Sequence, residues 1–174
     1  MNVESMEAVA VLCGFCRKPP NRCHSHCSAI CIVKIDSSFD IRMVLVPFLP
    51  AVEEELLQRL YRFVEQGGVA VIGPMTGYRT MEHTVHTDHA LGKLEALCGI
   101  RVTQFYRADG TDGRMEGFGR ACRPVYWAAP CEPAAGTDTE SLASYRTTLH
   151  TAASAATRHQ VGRGYVYTLA AMPE

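Results

Sequence analysis

The part of the sequence that most constrains the fold is residues 44–74, VLVPFLPAVEEELLQRLYRFVEQGGVAVIGP. An apolar run at residues 43–46 ends at a proline, and a second apolar run follows at residues 69–72. Between these two runs the apolar side chains recur at helical spacing: Val52, Leu56, Leu57, Leu60, Phe63 and Val64. Glutamates at residues 53–55 suit the first turn of a helix, and Gly67 with Gly68 predicts its end. The segment therefore predicts a strand–helix–strand unit with parallel strands and a right-handed crossover.

Further apolar runs predict more strands in the same sheet. VAVL at residues 9–12 and ICIVKI at residues 30–35 are the clearest of them. Such runs do not alternate in polarity, which favours parallel strands that are covered on both faces. Residues 158–172 have a hairpin-like pattern with two glycines at the bend and a last strand at residues 165–169. Together these patterns predict an α/β fold, a three-layer flavodoxin-like domain with a mainly parallel sheet.

Length and charge exclude several classes of function. A chain of 174 residues predicts a single domain, residues 1–174. The net charge of −1 provides no basic field, so we expect no nucleic acid partner. The most apolar stretch, residues 43–52, is about half the length of a membrane span, so we expect no membrane partner. The first residues, MNVESMEA, are acidic where an export signal is basic, which predicts a cytoplasmic protein with reduced thiols.

Several segments, in the same order, resemble a known family. Residues 44–74 resemble part of the trimerisation (middle) domain of bacterial β-galactosidases of glycoside hydrolase family 42. Residues 77–105, GYRTMEHTVHTDHALGKLEALCGIRVTQF, are similar to the loop and short helix that follow there. The tail at residues 157–174, TRHQVGRGYVYTLAAMPE, is similar to the end of that domain. The N-terminal residues 13–31 depart from the family pattern, because a helix of that domain is replaced by a Cys-rich stretch with two adjacent prolines.

The resemblance implies a fold like that of class I glutamine amidotransferases and a role in subunit assembly. It also implies that residues 73–88 lie near the active-site face and the subunit contacts of the intact enzymes. The catalytic carboxylates of the family lie in a preceding TIM barrel, which needs roughly 250 residues, more than this chain provides. We therefore expect no enzymatic activity from the chain alone. We expect self-association as a trimer, or association with a separately encoded β-galactosidase catalytic domain.

No set of side chains in the sequence predicts a catalytic, cofactor or metal site. Glycoside hydrolysis needs two carboxyl groups on opposite sides of a sugar, and no candidate pair is evident. Cys98 lies near a predicted helix end, which is not the sharp turn of a nucleophile, and is interpreted as a buried small side chain. His83, His86 and His89 are spaced by three, but the threonines between them favour a loop over a three-histidine metal site. No cofactor is expected, because no glycine-rich phosphate-binding pattern follows the predicted strands.

The cysteine cluster leaves an alternative open. Cys13, Cys16, Cys23 and Cys27 have spacings that a structural zinc ion tolerates, although no second Cys-x2-Cys pair follows. A disrupted coding sequence would also explain why the family pattern is lost and then returns. The favoured function is a non-catalytic assembly domain, a fragment or partner subunit in galactoside metabolism. The alternatives are a zinc-stabilised interaction module and a small-molecule-binding flavodoxin-like domain.

Overall fold

The computed structural model describes residues 8–13, 41–108, 113–146 and 153–174. The described residues form two helices, α1 (Glu54–Glu65) and α2 (Leu94–Cys98). They also form thirteen strands, numbered in chain order: β1 (Ala8–Cys13), β2 (Ile41–Phe48), β3 (Val69–Ile72), β4 (Ile100–Val102), β5 (Tyr106–Arg107), β6 (Arg114–Gly117), β7 (Arg120–Cys122), β8 (Pro124–Ala128), β9 (Cys131–Pro133), β10 (Glu140–Arg146), β11 (Ser154–Val161), β12 (Gly164–Leu169) and β13 (Ala171–Pro173).

Most of the strands belong to one mixed sheet with the order β1-β2-β3-β12-β11-β10-β6-β7. Strands β1, β2, β3 and β12 are parallel to one another, and β12, β11, β10, β6 and β7 pair antiparallel. Strands β4 and β9 pair with each other, and β9 joins them to β11 at Ser154, the first residue of that strand. A separate small sheet has the order β13-β8-β5.

The predicted strand–helix–strand unit is present as β2, α1 and β3. Leu60 and Val64 are the buried residues of α1, and Glu54 and Glu55 occupy its first turn, where the helix dipole favours them. Gly67 follows the helix at φ 112°, a backbone conformation that suits glycine. Strand β3 then pairs in parallel with β2, so the local pattern of residues 43–72 is sufficient to build this unit.

The core lies on one face of the parallel strands, which we call the helix face. Val44, Val46, Ala70, Ile72 and Val166 point to this face and are at most 1% exposed. They form one cluster with the inner side chains of both helices: Leu60, Val64, Leu94, Leu97 and Cys98. Both described helices therefore pack on the same side of the sheet.

The predicted three-layer flavodoxin-like or amidotransferase-like fold with a mainly parallel sheet is wrong. Among the described residues, strands predominate, the sheet is mixed and curled, and its C-terminal half is antiparallel. The prediction extended the parallel pattern of residues 9–72 to the whole chain. After α2, short strands joined by tight turns continue the sheet, and no described helix covers its second face. The predicted strand at residues 30–35 lies outside the described residues.

No helix in the described part of the chain is long and apolar enough to cross a membrane.

Candidate functional site

A groove of about 1420 Å³ lies beside α2. Its walls are the loop from Gly77 to His89, the start of α1, and the segment from Glu132 to Thr137. Its lining includes the buried side chains Leu91, Leu94 and Ile100 and the exposed side chains Glu82, Lys93 and Arg101. The groove therefore combines an apolar interior with charges of both signs around it. It includes much of the segment that resembles the family at residues 77–105.

A buried carboxylate holds one wall of the groove in place. Glu95 of α2 is only 3% exposed, and its Oε1 accepts hydrogen bonds from the backbone N–H groups of Leu91 at 3.2 Å and Val102 at 3.4 Å. Its Oε2 lies 3.2 Å from Nδ1 of His89. One side chain thus ties the segment before α2 and the end of the following strand, β4, to the helix.

The three spaced histidines have separate structural positions. Nε2 of His86 lies 3.0 Å from the carbonyl oxygen of Gly77, and His89 contacts Glu95. His83 sits in a turn at φ 62°, and its carbonyl oxygen accepts a hydrogen bond of 2.9 Å from Arg79. Within the described ranges, no group of three His, Cys, Asp or Glu side chains is arranged to hold a metal ion.

An ion pair links the start of α2 to α1. Nζ of Lys93 donates to Oε2 of Glu54 at 2.7 Å, and both side chains are well exposed. The hydrogen bond from Lys93 lowers the pKa of the Glu54 carboxyl, with a smaller contribution from Gln58. Because solvent screens such a pair, it orients the start of α2 without adding much stability.

The buried thiols are poor candidates for a nucleophile. Cys98 and Cys131 are 0% exposed, and burial raises the pKa of each thiol to about 12. Because the thiolate is the reactive form, both groups are inert near neutral pH. The interpretation of Cys98 as a buried small side chain is confirmed.

One further histidine packs at the far end of α2. Nδ1 of His159 lies 3.1 Å from Oγ1 of Thr139, and this hydroxyl donates to the carbonyl oxygen of Gly99 at 2.7 Å. Partial burial lowers the pKa of His159, and the nearby Asp138 opposes this shift. These contacts fix the turn that ends α2.

Several residues weighed in the sequence lie outside the described residues. They are three of the four cysteines proposed for zinc, namely Cys16, Cys23 and Cys27. Cys13 ends strand β1, where only the backbone is described. The zinc hypothesis therefore stays a prediction. Sequence reasoning also missed Glu95. A single glutamate in the segment LEALC has the same local pattern as an exposed glutamate in any short helix, so nothing in the sequence indicates its burial.

The fold is that of a domain found within solved β-galactosidases. The β-galactosidase from the haloarchaeon Halorubrum lacusprofundi superimposes with a TM-score of 0.70 at 25% identity, over 78% of this chain and 20% of that one. The enzyme from Bacillus circulans sp. alkalophilus gives a TM-score of 0.70 at 20% identity, over 78% of this chain and 21% of that one. The likeness to the second enzyme bears on the fold alone.

Sequence comparison identifies the family. The profile of the beta-galactosidase trimerisation domain matches residues 31–174, and the chain therefore belongs to that family. Beta-galactosidase YesZ of Bacillus subtilis is 34% identical over 95 residues, which is 55% of this chain and 14% of the relative. The YesZ protein of Bacillus licheniformis is 28% identical over 132 residues, 76% of this chain and 20% of the relative. The resemblance stated from the sequence is confirmed, and the chain spans a fifth or less of these curated relatives.

Proposed function

We propose that the chain is a non-catalytic assembly domain of a β-galactosidase-like protein, acting in galactoside metabolism. The observation that carries the proposal is the family match, which extends over residues 31–174 and so includes both helices, the groove and the strands from β2 onward. The chain either associates with itself as a trimer or docks onto a separately encoded β-galactosidase catalytic domain. Both modes of association use its surface and require no reaction at the groove.

The exposed apolar side chains support a role in association. Met81 is 49% exposed and Val85 is 70% exposed, and both lie on the groove loop. A second group, on strands β8 and β13, comprises Tyr126 at 65%, Trp127 at 45% and Met172 at 45%. Aromatic residues and methionine are enriched in protein–protein interfaces relative to the remaining surface. Apolar surface rimmed by charge suits a contact with another protein.

The compartment is also part of the proposal. Cys98, Cys122 and Cys131 are free thiols among the described residues, which suits a reducing cytoplasm. Immunoblotting of cell fractions with an antibody against the chain tests this location. Recovery of the chain outside the cytoplasmic fraction would contradict it.

The non-catalytic part of the proposal is tested by hydrolysis of a nitrophenyl β-galactoside. The purified chain should give no turnover above buffer, at protein concentrations where a β-galactosidase gives a strong signal. Turnover that co-elutes with the chain, and that a chain-specific antibody removes, would contradict the proposal. Association is tested by solution mass for the trimer, and by co-purification with a β-galactosidase catalytic domain for the alternative.

A further inference from the structure

The parallel strands present a second apolar face, opposite the helix face. Cross-strand register aligns its side chains in two rows across β2, β3 and β12. We call this surface the open face; its rows are Met43, Val69 and Tyr165, and Leu45, Val71 and Tyr167. Six apolar or aromatic side chains therefore lie together on three neighbouring strands.

The open face is separate from the hydrophobic core. None of its six side chains belongs to the core cluster or packs against it. Met43 is 36% exposed, and the other five are only partly buried. Both described helices lie on the opposite face, so neither covers these rows. Parallel strands that are apolar on both faces are typical of a sheet that is covered on both faces. We therefore expect another protein surface to cover the open face.

Charges of both signs flank the open face on one side. Arg158 of β11 pairs in register with Tyr167, and Glu140 of β10 pairs in register with Arg158. Nη2 of Arg158 donates to Oε2 of Glu140 at 2.6 Å, and the guanidinium lies 5.4 Å from the ring centroid of Tyr165. The edge of the apolar rows therefore carries one base and one acid, both about half exposed.

We propose that the open face docks against the same face of a second copy of this chain, around a two-fold axis. In such a contact the same patch must complement itself. Apolar rows meet apolar rows at the usual spacing of about 10 Å between packed sheets. The Glu140–Arg158 pair gives the flank both charges, so a copy related by the two-fold axis can match base to acid. The net charge of −1 adds almost no repulsion between copies.

The size of the open face predicts a weak dimer. Strands spaced about 4.8 Å apart, with about 3.3 Å per residue, give a footprint on the order of 200–250 Å² when β11 is included. A stable interface buries about 800 Å² on each partner. The dimer should therefore dissociate on dilution, and its population should rise steeply with protein concentration.

This inference does not depend on the proposed trimer. A two-fold contact pairs molecules and gives even-numbered species, whereas the trimer of the proposed function comes from a different contact. A dimer alone, a trimer alone, and a hexamer made of two trimers have different masses. The failure of one proposal is therefore distinguishable from the failure of the other.

The test is the solution mass of the full chain by light scattering, from roughly 10 μM to 1 mM protein. Met43→Lys places a charge in the open face, and Phe118→Lys places the same charge on the exposed turn between β6 and β7 as a matched control. Tyr165→Glu and Tyr61→Glu form a second pair, because Tyr61 is exposed on α1. We expect the concentration-dependent doubling of mass to be lost in Met43→Lys and Tyr165→Glu and kept in both controls.

Three results would overturn the inference. The first is a wild-type mass that never doubles over the concentration range. The second is a doubling that survives in folded Met43→Lys and Tyr165→Glu protein, as judged by circular dichroism. The third comes from hydroxyl-radical footprinting of Tyr165 and Tyr167 in the wild type. Protection that does not change with concentration would mean that another part of the same chain covers the open face. Because footprinting needs no substitution, it decides the matter even if both variants fail to fold.

Discussion

At the scale of single residues, Glu95 does more for the groove than any side chain that the sequence singled out. Its carboxylate is buried and accepts two backbone hydrogen bonds from segments on either side of α2. A buried backbone N–H that loses its acceptor costs roughly 1–3 kcal/mol. The sequence could not reveal this role, because the partners of Glu95 are backbone groups that only the fold brings to it.

Removing the Glu95 carboxylate should therefore destabilise the domain. We expect Glu95→Ala to lower the free energy of unfolding by about 2–4 kcal/mol, since two buried N–H groups lose their acceptor. Glu95→Gln retains one acceptor oxygen and should cost less than half as much. Glu82→Ala, on the exposed loop, should change the free energy of unfolding by less than about 0.5 kcal/mol. Urea unfolding followed by circular dichroism measures all three, and equal losses for Glu95→Ala and Glu82→Ala would contradict the assigned role.

The buried thiols predict a loss of stability at alkaline pH. Burial raises the pKa of Cys98 and Cys131 to about 12 from an ordinary value of 9.0, so the unfolded state releases these protons first. Their contribution is constant below about pH 9 and falls as pH rises through 9 toward 12. The loss should reach about 1 kcal/mol per thiol by pH 10.

This loss can be separated from other alkaline effects by comparing variants. The double variant Cys98→Ala/Cys131→Ala should lose less free energy of unfolding between pH 8 and pH 10 than the wild type loses. Urea unfolding at both pH values measures this difference. Cys122→Ala serves as the control, because that thiol is only partly buried and belongs to an edge strand. An identical fall in all three proteins would show that the two buried thiols do not titrate as described.

At the scale of elements, the turn between β11 and β12 must pack directly against the end of α1. A Cβ atom at Gly164 would lie 2.2 Å from the carbonyl oxygens of both Gly68 and Val64. Both contacts are to backbone, so the neighbours cannot move aside cheaply. Glycine at this position is what allows β12 to enter the parallel part of the sheet beside β3.

Alanine at Gly164 should therefore cost far more than alanine at an open glycine. We expect Gly164→Ala to lower the free energy of unfolding by about 2–4 kcal/mol through overpacking. Gly136→Ala is a stringent control that isolates backbone strain from overpacking. Gly136 has φ 78°, but no atom lies within 4 Å of a Cβ added there. It should cost about 1 kcal/mol from backbone strain alone. Thermal unfolding that ranks Gly136→Ala as the more damaging change would contradict the packing described.

The elements also show how far sequence reasoning reaches. The unit of β2, α1 and β3 was predictable, because apolar periodicity, first-turn glutamates and the glycine pair agree within 30 residues. The hairpin of β11 and β12 was predictable from its glycines. Strands β9 and β10 were not predicted from the sequence, although Cys131–Pro133, for example, pairs with β4 and β11. Such short strands are fixed by long-range pairing, which leaves little local pattern.

At the scale of the whole molecule, the two faces of the sheet explain why the predicted architecture was wrong. Non-alternating strands correctly indicated parallel pairing, and they also suggested helices on both sides. The described helices lie on one side only, and the antiparallel half continues the sheet where further crossovers were expected. Family membership, in contrast, was accessible from the sequence, because several segments matched in the right order. The groove was not accessible from the sequence, because the loop, the helix and the strand that form it come together only in the folded chain.

The central claim is that this chain is an assembly domain, and the molar mass of the purified wild-type chain tests it most directly. Size exclusion with light scattering should give a mass near three times 19.1 kDa, or six times if the open faces also pair. A mass that stays at 19.1 kDa at every concentration, with no shift when a β-galactosidase catalytic domain is added, would contradict the claim.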